Sequence, residues 1–252
     1  MSLTVACFYK FVAIDDGAAL RDQLREIGRA HDVKGTILIA PEGINSTVAG
    51  SSGSIAALVG HLRDDDRFRD LAVKVSSATE PPFQRLKVKL KREIVTLGRP
   101  EAKPSERTGI ALDPRAWNAL LDDPETIVID TRNAYEIAVG TFPGAIDPRT
   151  AAFGDFPRFV TTTLDPKQHR KIAMFCTGGI RCEKASAFML AEGFAEVYQL
   201  EGGILKYLEE VPVGENRWQG ECYVFDGRVA LRHGLAEGSY TTRLACGHPV
   251  PK

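Results

Sequence analysis

The segment from residue 171 to residue 192 constrains the fold most, because it joins an apolar strand, a glycine-containing loop and a helix in direct succession. The run from Lys171 to Phe175 predicts a buried strand, and the spacing from about Ile180 to Glu192 predicts a helix. The alternation continues on both sides, with strands predicted at Thr126 to Asp130 and Val197 to Leu200 and helices predicted from Asp113 and Gly203. Apolar strands that alternate with helices indicate a parallel sheet covered on both faces. We therefore predict a doubly wound α/β domain here.

The N-terminal part of the chain follows a different order. Strands are predicted at residues 4–13, 36–40, 45–49 and 72–76, and helices at about residues 17–30 and 52–63. The order strand, helix, strand, strand, helix, strand is that of the split β-α-β arrangement. We therefore predict a ferredoxin-like, acylphosphatase-like α+β domain before the parallel-sheet domain.

A linker is predicted between the two domains. Residues 99–109 carry Pro100, Pro104, Ser105 and Gly109 with several charges and no apolar period, a composition typical of loops. The predicted division is therefore residues 1–98 for the first domain, 99–109 for the linker, 110–213 for the second domain and 214–252 for a C-terminal extension.

Composition excludes several classes of protein. Of 252 residues, 44% are hydrophobic and 26% charged, which is ordinary for a globular chain. No stretch approaches the length of apolar sequence that a membrane helix needs. An odd number of scattered cysteines argues against a disulfide framework and for a reducing compartment. They are Cys7, Cys176, Cys182, Cys222 and Cys246. The expectation is a cytoplasmic protein with no membrane partner.

The formal net charge of -1 offers no general attraction to nucleic acid, so RNA binding would need a local basic surface. Between Arg85 and Arg107 there are eight basic and three acidic residues. From Leu86 to Lys91 apolar residues alternate with lysines, which in a strand places the lysines on one face. The candidate RNA-binding residues are Lys87, Lys89, Lys91 and Arg92. An ordinary solvated strand face explains the pattern equally well.

The loop after the apolar strand predicts a nucleophile at Cys176. Consecutive N–H groups of a glycine-containing loop and the start of a helix favour an anion at the same point. A thiol placed there should have a depressed pKa. The residues expected to stabilise the thiolate or an anionic adduct are Thr177, Gly178, Gly179, Ile180 and Arg181. The alternative is a buried structural cysteine beside a routine helix start.

This loop and its surroundings resemble a rhodanese domain over roughly residues 110–212. The resemblance lies in the Cys176 to Arg181 loop, in Asp130-Thr131-Arg132, in Glu136 and Gly140, and in the run from Phe142 to Ile146. It implies that Cys176 is catalytic and that Asp130 and Arg132 support the loop. The six-residue loop resembles that of sulfur-handling rhodaneses rather than that of the related phosphatases, whose loop is one residue longer. Cys182 is a candidate resolving thiol, or else a small packing residue.

Five further stretches together resemble the tRNA uridine-34 hydroxylase family over nearly the whole chain. They are Glu42 to Gly50, Pro81 to Gly98, Phe175 to Ala187, Tyr198 to Leu208 and Gly220 to Leu231. The resemblance implies an oxidoreductase that modifies tRNA by converting the wobble uridine in the anticodon loop to 5-hydroxyuridine, with O2 as co-substrate and Cys176 as catalytic cysteine. The thiolate would add to C6 of the uracil or first capture a persulfide. A sulfur donor protein or a small-molecule persulfide is then a candidate partner.

Two other functions stay open at this point. One is a rhodanese sulfurtransferase acting on thiosulfate or a persulfide, and the other is a non-enzymatic module that binds RNA or senses persulfides. No bound cofactor is identifiable, because no flavin fingerprint, haem motif or 2-His-1-carboxylate cluster is found. No metal site is predicted either, since Cys246 and His248 near the C-terminus lack a partnering Cys-x-x-Cys and Cys222 is distant in sequence.

Overall fold

The computed structural model describes residues 3–243, 245 and 247–252, which fall into two compact units. The first unit ends at Val95 and also contains Phe225–Arg228, and the second consists of Thr96–Val224 and Val229–Lys252. The division into residues 1–98, 99–109, 110–213 and 214–252 stays a prediction. The units depart from it in two respects. The second unit begins at Thr96 and includes the expected linker, and four residues of the expected C-terminal extension belong to the first unit.

The first unit is a five-stranded sheet with two helices. Its elements are β1 (Leu3–Phe11), α1 (Gly17–Ala30), β2 (Lys34–Ala40), β3 (Gly43–Gly50), α2 (Ser52–Arg63), β4 (Val73–Ala78) and β5 (Leu86–Leu90). The strand order is β4-β1-β3-β2-β5. β3 is antiparallel to both β1 and β2, and β1 is antiparallel to β4. The first four strands therefore form the predicted ferredoxin-like arrangement, and β5 adds a strand parallel to β2.

Apolar residues of both helices and of the sheet form the core of this unit. Leu24 of α1 and Leu58 of α2 are fully buried together with Ile37 and Ile44 of the sheet. The alternation in β5 is confirmed in part, since Val88 is buried in the core while Lys87 and Lys89 are exposed. The strand thus presents two lysines to solvent.

The buried side chain of Arg228 connects the segment Phe225–Arg228 to the rest of the first unit. Arg228 donates to both carboxylate oxygens of Asp226, and both side chains are almost fully buried. The same guanidinium donates to Ser76 Oγ at 2.7 Å and to the carbonyl oxygen of Ser77 at 3.2 Å. These contacts connect the segment to β4 of the first unit.

The second unit contains a four-stranded parallel sheet with helices. Its elements before the end of the sheet are β6 (Ile110–Leu112), α3 (Pro114–Leu121), β7 (Thr126–Asp130), α4 (Ala134–Ile137), β8 (Gly140–Thr141), α5 (Phe156–Thr163), β9 (Lys171–Phe175), α6 (Ile180–Ala191), β10 (Glu196–Leu200) and α7 (Gly203–Glu210). Short strands follow as β11 (Gln219–Gly220), β12 (Cys222–Tyr223), β13 (Ala230–Leu231), β14 (Tyr240–Thr242) and β15 (Pro249–Pro251). The sheet order is β6-β10-β9-β7, and every pairing in it is parallel. The predicted parallel-sheet fold is confirmed.

An aromatic cluster fills the core beneath one face of this sheet. Phe142 packs edge-to-face against Phe175 and Tyr207 with centroids 4.9 Å apart, and against Trp218 at 5.0 Å. Trp117 of α3 is fully buried in the same cluster. Because such rings bury large apolar areas in fixed orientations, they hold β9 rigidly at the point where it delivers the next residue, Cys176.

Candidate active site

The candidate site lies at the carboxyl ends of β7 and β9. Asp130, the last residue of β7, is in register with Phe175, the last residue of β9. The segments that follow the two strands therefore emerge at the same edge of the sheet, where parallel α/β sheets bind ligands. Cys176 follows β9 directly, and Gly179 caps α6 with a left-handed φ of 102°. Glycine adopts this conformation without the penalty that other residues incur.

The Cys176 thiol is held as an acceptor of hydrogen bonds. The side chain is 1% exposed, and the N–H of Gly179 donates to Sγ over 3.1 Å. Burial alone would raise the pKa of Cys176. Hydrogen bonds from the thiol and N–H of Cys182, the N–H of Gly179 and the positive charge of Arg181 outweigh burial and hold this pKa well below its ordinary value. Cys176 is therefore suited to react as a thiolate.

Arg181 is fixed by a buried, bidentate ion pair with Glu136. Its two terminal nitrogens donate to the two carboxylate oxygens over 2.7 and 2.8 Å, and Glu136 is fully buried. Burial opposes the charged form of each partner. The charge of Arg181 nevertheless lowers the pKa of Glu136, and the carboxylate raises the pKa of Arg181. Because Glu136 engages the fork, Arg181 acts on Cys176 through its charge.

A second buried pair supports the first. Arg132 donates to the two carboxylate oxygens of Asp130 over 2.9 and 2.6 Å, and both side chains are fully buried. The same guanidinium donates to the backbone carbonyl of Glu136 over 3.2 Å and to that of Gly140 over 2.5 Å. Asp130 and Arg132 thus fix the backbone that carries Glu136. Their supporting role in the site stays a prediction.

Cys182 lies in the first turn of α6, beneath the loop. It is fully buried, and its thiol donates toward Cys176 while its sulfur lies 3.6 Å from Thr131 Oγ1. Burial and the neighbouring thiolate raise the pKa of Cys182 well above its ordinary value. The pKa values of the two cysteines are therefore shifted in opposite directions, which favours Cys176 over Cys182 as the thiolate.

The start of α7 is hydrogen-bonded to the backbone of Cys176 and Thr177. The N–H groups of Ile204 and Leu205 donate to the carbonyl oxygens of Cys176 and Thr177 over 2.9 and 3.1 Å. Gly203 has a φ of 68°, and a Cβ there would lie 2.5 Å from the Cys176 carbonyl oxygen. Any larger residue would therefore push the catalytic loop away from α7.

The site residues predicted from the sequence fall into two groups, one in each unit. Thr177, Gly178 and Gly179 form the loop after Cys176, and Ile180 and Arg181 begin α6, whereas the exposed basic candidates belong to the first unit. Glu136 is the partner of Arg181 that sequence reasoning left out of the site, although it stands in the segment that resembles rhodaneses. The ring of Tyr135 also contacts the rings of Tyr223 and His248.

The described part of the chain contains neither a metal site nor a membrane-spanning helix. Among residues 3–243, 245 and 247–252, no group of three or more His, Cys, Asp or Glu is placed to hold a metal ion. Cys246, which the sequence does not predict to bind a metal, lies outside the described residues. Within the same residues, no helix has the length and apolar character to cross a membrane.

Fold and site together define a rhodanese-like protein with an added N-terminal domain. The family model described as a UPF0176 acylphosphatase like domain matches residues 3–94, and that described as a rhodanese-like domain matches residues 113–210. The tRNA uridine(34) hydroxylase of Picosynechococcus sp. is 51% identical over 246 residues, which are 98% of this chain and 83% of the relative. The chain belongs to the tRNA uridine(34) hydroxylase family.

Solved structures show more distant likenesses. The rhodanese-like domain of an Anabaena sp. protein is 18% identical, covers 44% of this chain and 78% of its own, and superposes with a TM-score of 0.36. A Rhodopseudomonas palustris protein of unknown function, described as a possible tyrosine phosphatase, is 21% identical, covers 44% of this chain and 91% of its own, and gives a TM-score of 0.35. At such values these likenesses carry no argument about activity.

Proposed function

We propose that this chain is an oxidoreductase that hydroxylates uridine 34 of tRNA to 5-hydroxyuridine, with O2 as co-substrate and Cys176 as catalytic cysteine. The single observation that carries the role of Cys176 is that its buried sulfur, directly after β9, accepts a hydrogen bond from the N–H of Gly179 at the start of α6. The family membership supplies the substrate class. An unpaired anticodon-loop uridine spares most of the cost of extracting a base from a helix.

The thiolate can activate the uracil ring by covalent addition. Attack of Sγ on C6 forms a C6–S bond and moves the electron pair of the C5=C6 bond towards C5 and the neighbouring carbonyl. C5 then bonds to one oxygen atom of O2, and the second oxygen leaves as water with two electrons and two protons from a pair of thiols, which are oxidised to a disulfide. Loss of the C5 proton and departure of the thiolate restore the ring.

The loop residues have distinct tasks in this scheme. The N–H of Gly179 favours the thiolate when it leaves, and Arg181 adds a fixed positive charge that Glu136 orients. Cys182 keeps Cys176 ionised through a hydrogen bond and is a candidate resolving thiol. Should Cys176 first accept sulfur from a donor protein or a small persulfide, Cys182 could form a disulfide with it and release hydrogen sulfide.

The exposed basic face of the first unit is the proposed contact for tRNA phosphates. Lys87 and Lys89 point to solvent from β5, and Lys91 and Arg92 continue the exposed stretch. Phosphate contacts of this kind give salt-dependent affinity without sequence preference. A cytoplasmic location and the absence of a membrane partner are part of the same proposal.

The deciding experiment is nucleoside mass spectrometry of unmodified tRNA incubated with wild-type protein and with Cys176→Ser. The expected result is a gain of one oxygen atom at uridine 34 that requires both O2 and Cys176. A parallel assay follows thiocyanate formation from thiosulfate and cyanide. Thiocyanate without any change in tRNA would contradict the proposal and leave a sulfurtransferase.

The basic face has its own test in a charge-reversal pair. We expect Lys87→Glu with Lys89→Glu to weaken tRNA binding and to reduce the slope of log affinity against log salt by about 1 for each lost contact. The matched control is Lys167→Glu with Arg170→Glu, which reverses two exposed charges on the second unit. Equal losses in both double variants would mean that net charge, not this face, governs binding.

A further inference from the structure

Three rings from separate segments of the second unit form a small aromatic cluster. Tyr135 lies at the start of α4, Tyr223 in β12, and His248 between β14 and β15. The rings of Tyr135 and Tyr223 meet edge-to-face with centroids 5.4 Å apart. The ring of His248 stacks on that of Tyr135 with centroids 5.1 Å apart and only 8° between the planes.

The cluster adjoins the catalytic loop on two sides. Tyr135 directly precedes Glu136, whose carboxylate holds Arg181 of the loop. The backbone carbonyl of Tyr223 accepts a hydrogen bond from Thr177 Oγ1 over 3.5 Å, and Thr177 is the residue after Cys176. A ring bound against Tyr135 would therefore lie next to residues that contact the Cys176 loop.

These rings do not belong to the core beneath the sheet. The core cluster contains Trp117, Phe142, Phe175, Tyr207 and Trp218, but neither Tyr135 nor Tyr223. Both tyrosines are half-buried and His248 is exposed. Aromatic faces left partly open to solvent next to a nucleophile are the usual means by which proteins hold an unpaired base.

The stacked imidazole shows which face a base would use. His248 is a planar, single-ring heterocycle parallel to Tyr135, as a stacked uracil would be. Its position depends on a tight turn in which the N–H of Gly247 donates to the Arg243 carbonyl over 2.8 Å and the N–H of Arg243 donates to the His248 carbonyl over 2.9 Å. Rings at this separation leave no room for a third between them, so a base that stacks on this face of Tyr135 has to displace His248.

We propose that the ring of Tyr135 is the platform on which the target uracil stacks, and that His248 covers this platform until the RNA displaces it. The inference rests on the proposed function, because it takes uracil as the substrate base. Tyr135 is thus a substrate-positioning residue, while His248 competes with the base. The stacked base would lie next to the loop, where its C6 can meet Cys176.

The test measures binding and turnover of an anticodon stem-loop RNA with the full-length protein. Tyr135→Ala should weaken binding of the uridine-34 RNA by about tenfold, the scale of one lost base stack, and should leave binding of the same RNA with an abasic position 34 unchanged. Tyr135→Phe should behave as wild type. His248→Ala should strengthen binding of the uridine RNA and lower its KM, because the platform is open.

Controls separate a base platform from a structural role. Tyr198→Ala removes a half-buried tyrosine of β10 in the same unit, so its binding constants show what loss of packing alone does. A Tyr135→Ala loss that is equal for uridine and abasic RNA, or equal to that of Tyr198→Ala, would overturn the platform. A rise in KM with His248→Ala would overturn the competition.

The outcomes also keep the two proposals apart. If wild-type protein leaves uridine 34 unmodified but the base-dependent effect of Tyr135→Ala persists, the hydroxylase proposal fails and the platform stands. If wild-type protein hydroxylates uridine 34 while Tyr135→Ala keeps wild-type KM and affinity, the platform fails and the hydroxylase proposal stands.

Discussion

Replacement of Cys182 by alanine isolates one contribution to the reactivity of Cys176. The thiolate accepts hydrogen bonds from the thiol and N–H of Cys182 and from the N–H of Gly179, and Cys182→Ala removes only the thiol donor. Hydrogen bonds to charged groups contribute about 1.5 to 3 kcal/mol, and a thiol is a weak donor, so the lower end applies. About 1.4 kcal/mol corresponds to a tenfold loss of thiolate at a fixed pH below the pKa. Cys176 in Cys182→Ala should therefore have a higher pKa and about tenfold less thiolate there.

The assay follows the pH dependence of alkylation at Cys176 by peptide mass spectrometry, together with the ultraviolet absorbance of the thiolate. Burial raises the pKa of Cys7 and raises that of Cys222 to about 12, so both thiols ionise at higher pH than Cys176, whose pKa is lowered. Cys182→Ser keeps a hydroxyl donor and should react nearly as wild type, and Cys7→Ser in the first unit is the neutral control. An unchanged alkylation profile in Cys182→Ala would refute the reasoning.

Three further predictions concern the frame around the loop. Glu136→Gln leaves the buried guanidinium of Arg181 without its carboxylate and should lower the free energy of unfolding, measured by chemical denaturation, by about 3 to 5 kcal/mol. The control Glu106→Gln, which removes an exposed ion pair with Lys103, should lower it by less than about 1 kcal/mol. Because the folded-state pKa of Glu136 is depressed, its contribution is present above the unfolded value of 4.5 and is lost as pH falls through the folded pKa. Wild-type stability should therefore drop on acidification below pH 4.5, and a drop of equal size in Glu136→Gln would contradict this assignment. Gly203→Ala should destabilise the fold and slow turnover, because its Cβ would clash with the carbonyl oxygens of Cys176 and Thr177. Gly214→Ala is the control and should do neither, because the space around its Cβ is open. Equal melting temperatures for the two variants would contradict the proposed clash.

The parts predicted best from sequence are those in which one local pattern decides the structure. The apolar run before Cys176 predicts β9, and the predicted helix from about Ile180 to Glu192 corresponds to α6 at Ile180–Ala191. The ferredoxin-like order is likewise visible in the succession of elements. Elements of two to four residues, such as α4, β8 and β11–β15, have too few residues for a period to show, and their formation depends on tertiary partners.

The partners within the site are a matter of tertiary structure. Nothing in the sequence pairs Arg181 with Glu136, since the two are far apart along the chain and a buried carboxylate has no local pattern. The sequence predicts that Arg181 stabilises the thiolate or an anionic adduct, but it does not show that the guanidinium donates to both carboxylate oxygens of Glu136. Likewise no pattern predicts that His248 of the C-terminal segment stacks on Tyr135.

The sequence by itself determined the order of elements, the parallel sheet and the position of Cys176 after a strand and before a helix. These follow from side-chain periodicity and chain continuity, which act over a few residues. Only the tertiary structure decided which groups ionise Cys176, which carboxylate holds Arg181, and that Arg228 belongs to the first unit. Such pairings arise because buried charges require partners, and the folded chain can supply them from any distance along the sequence.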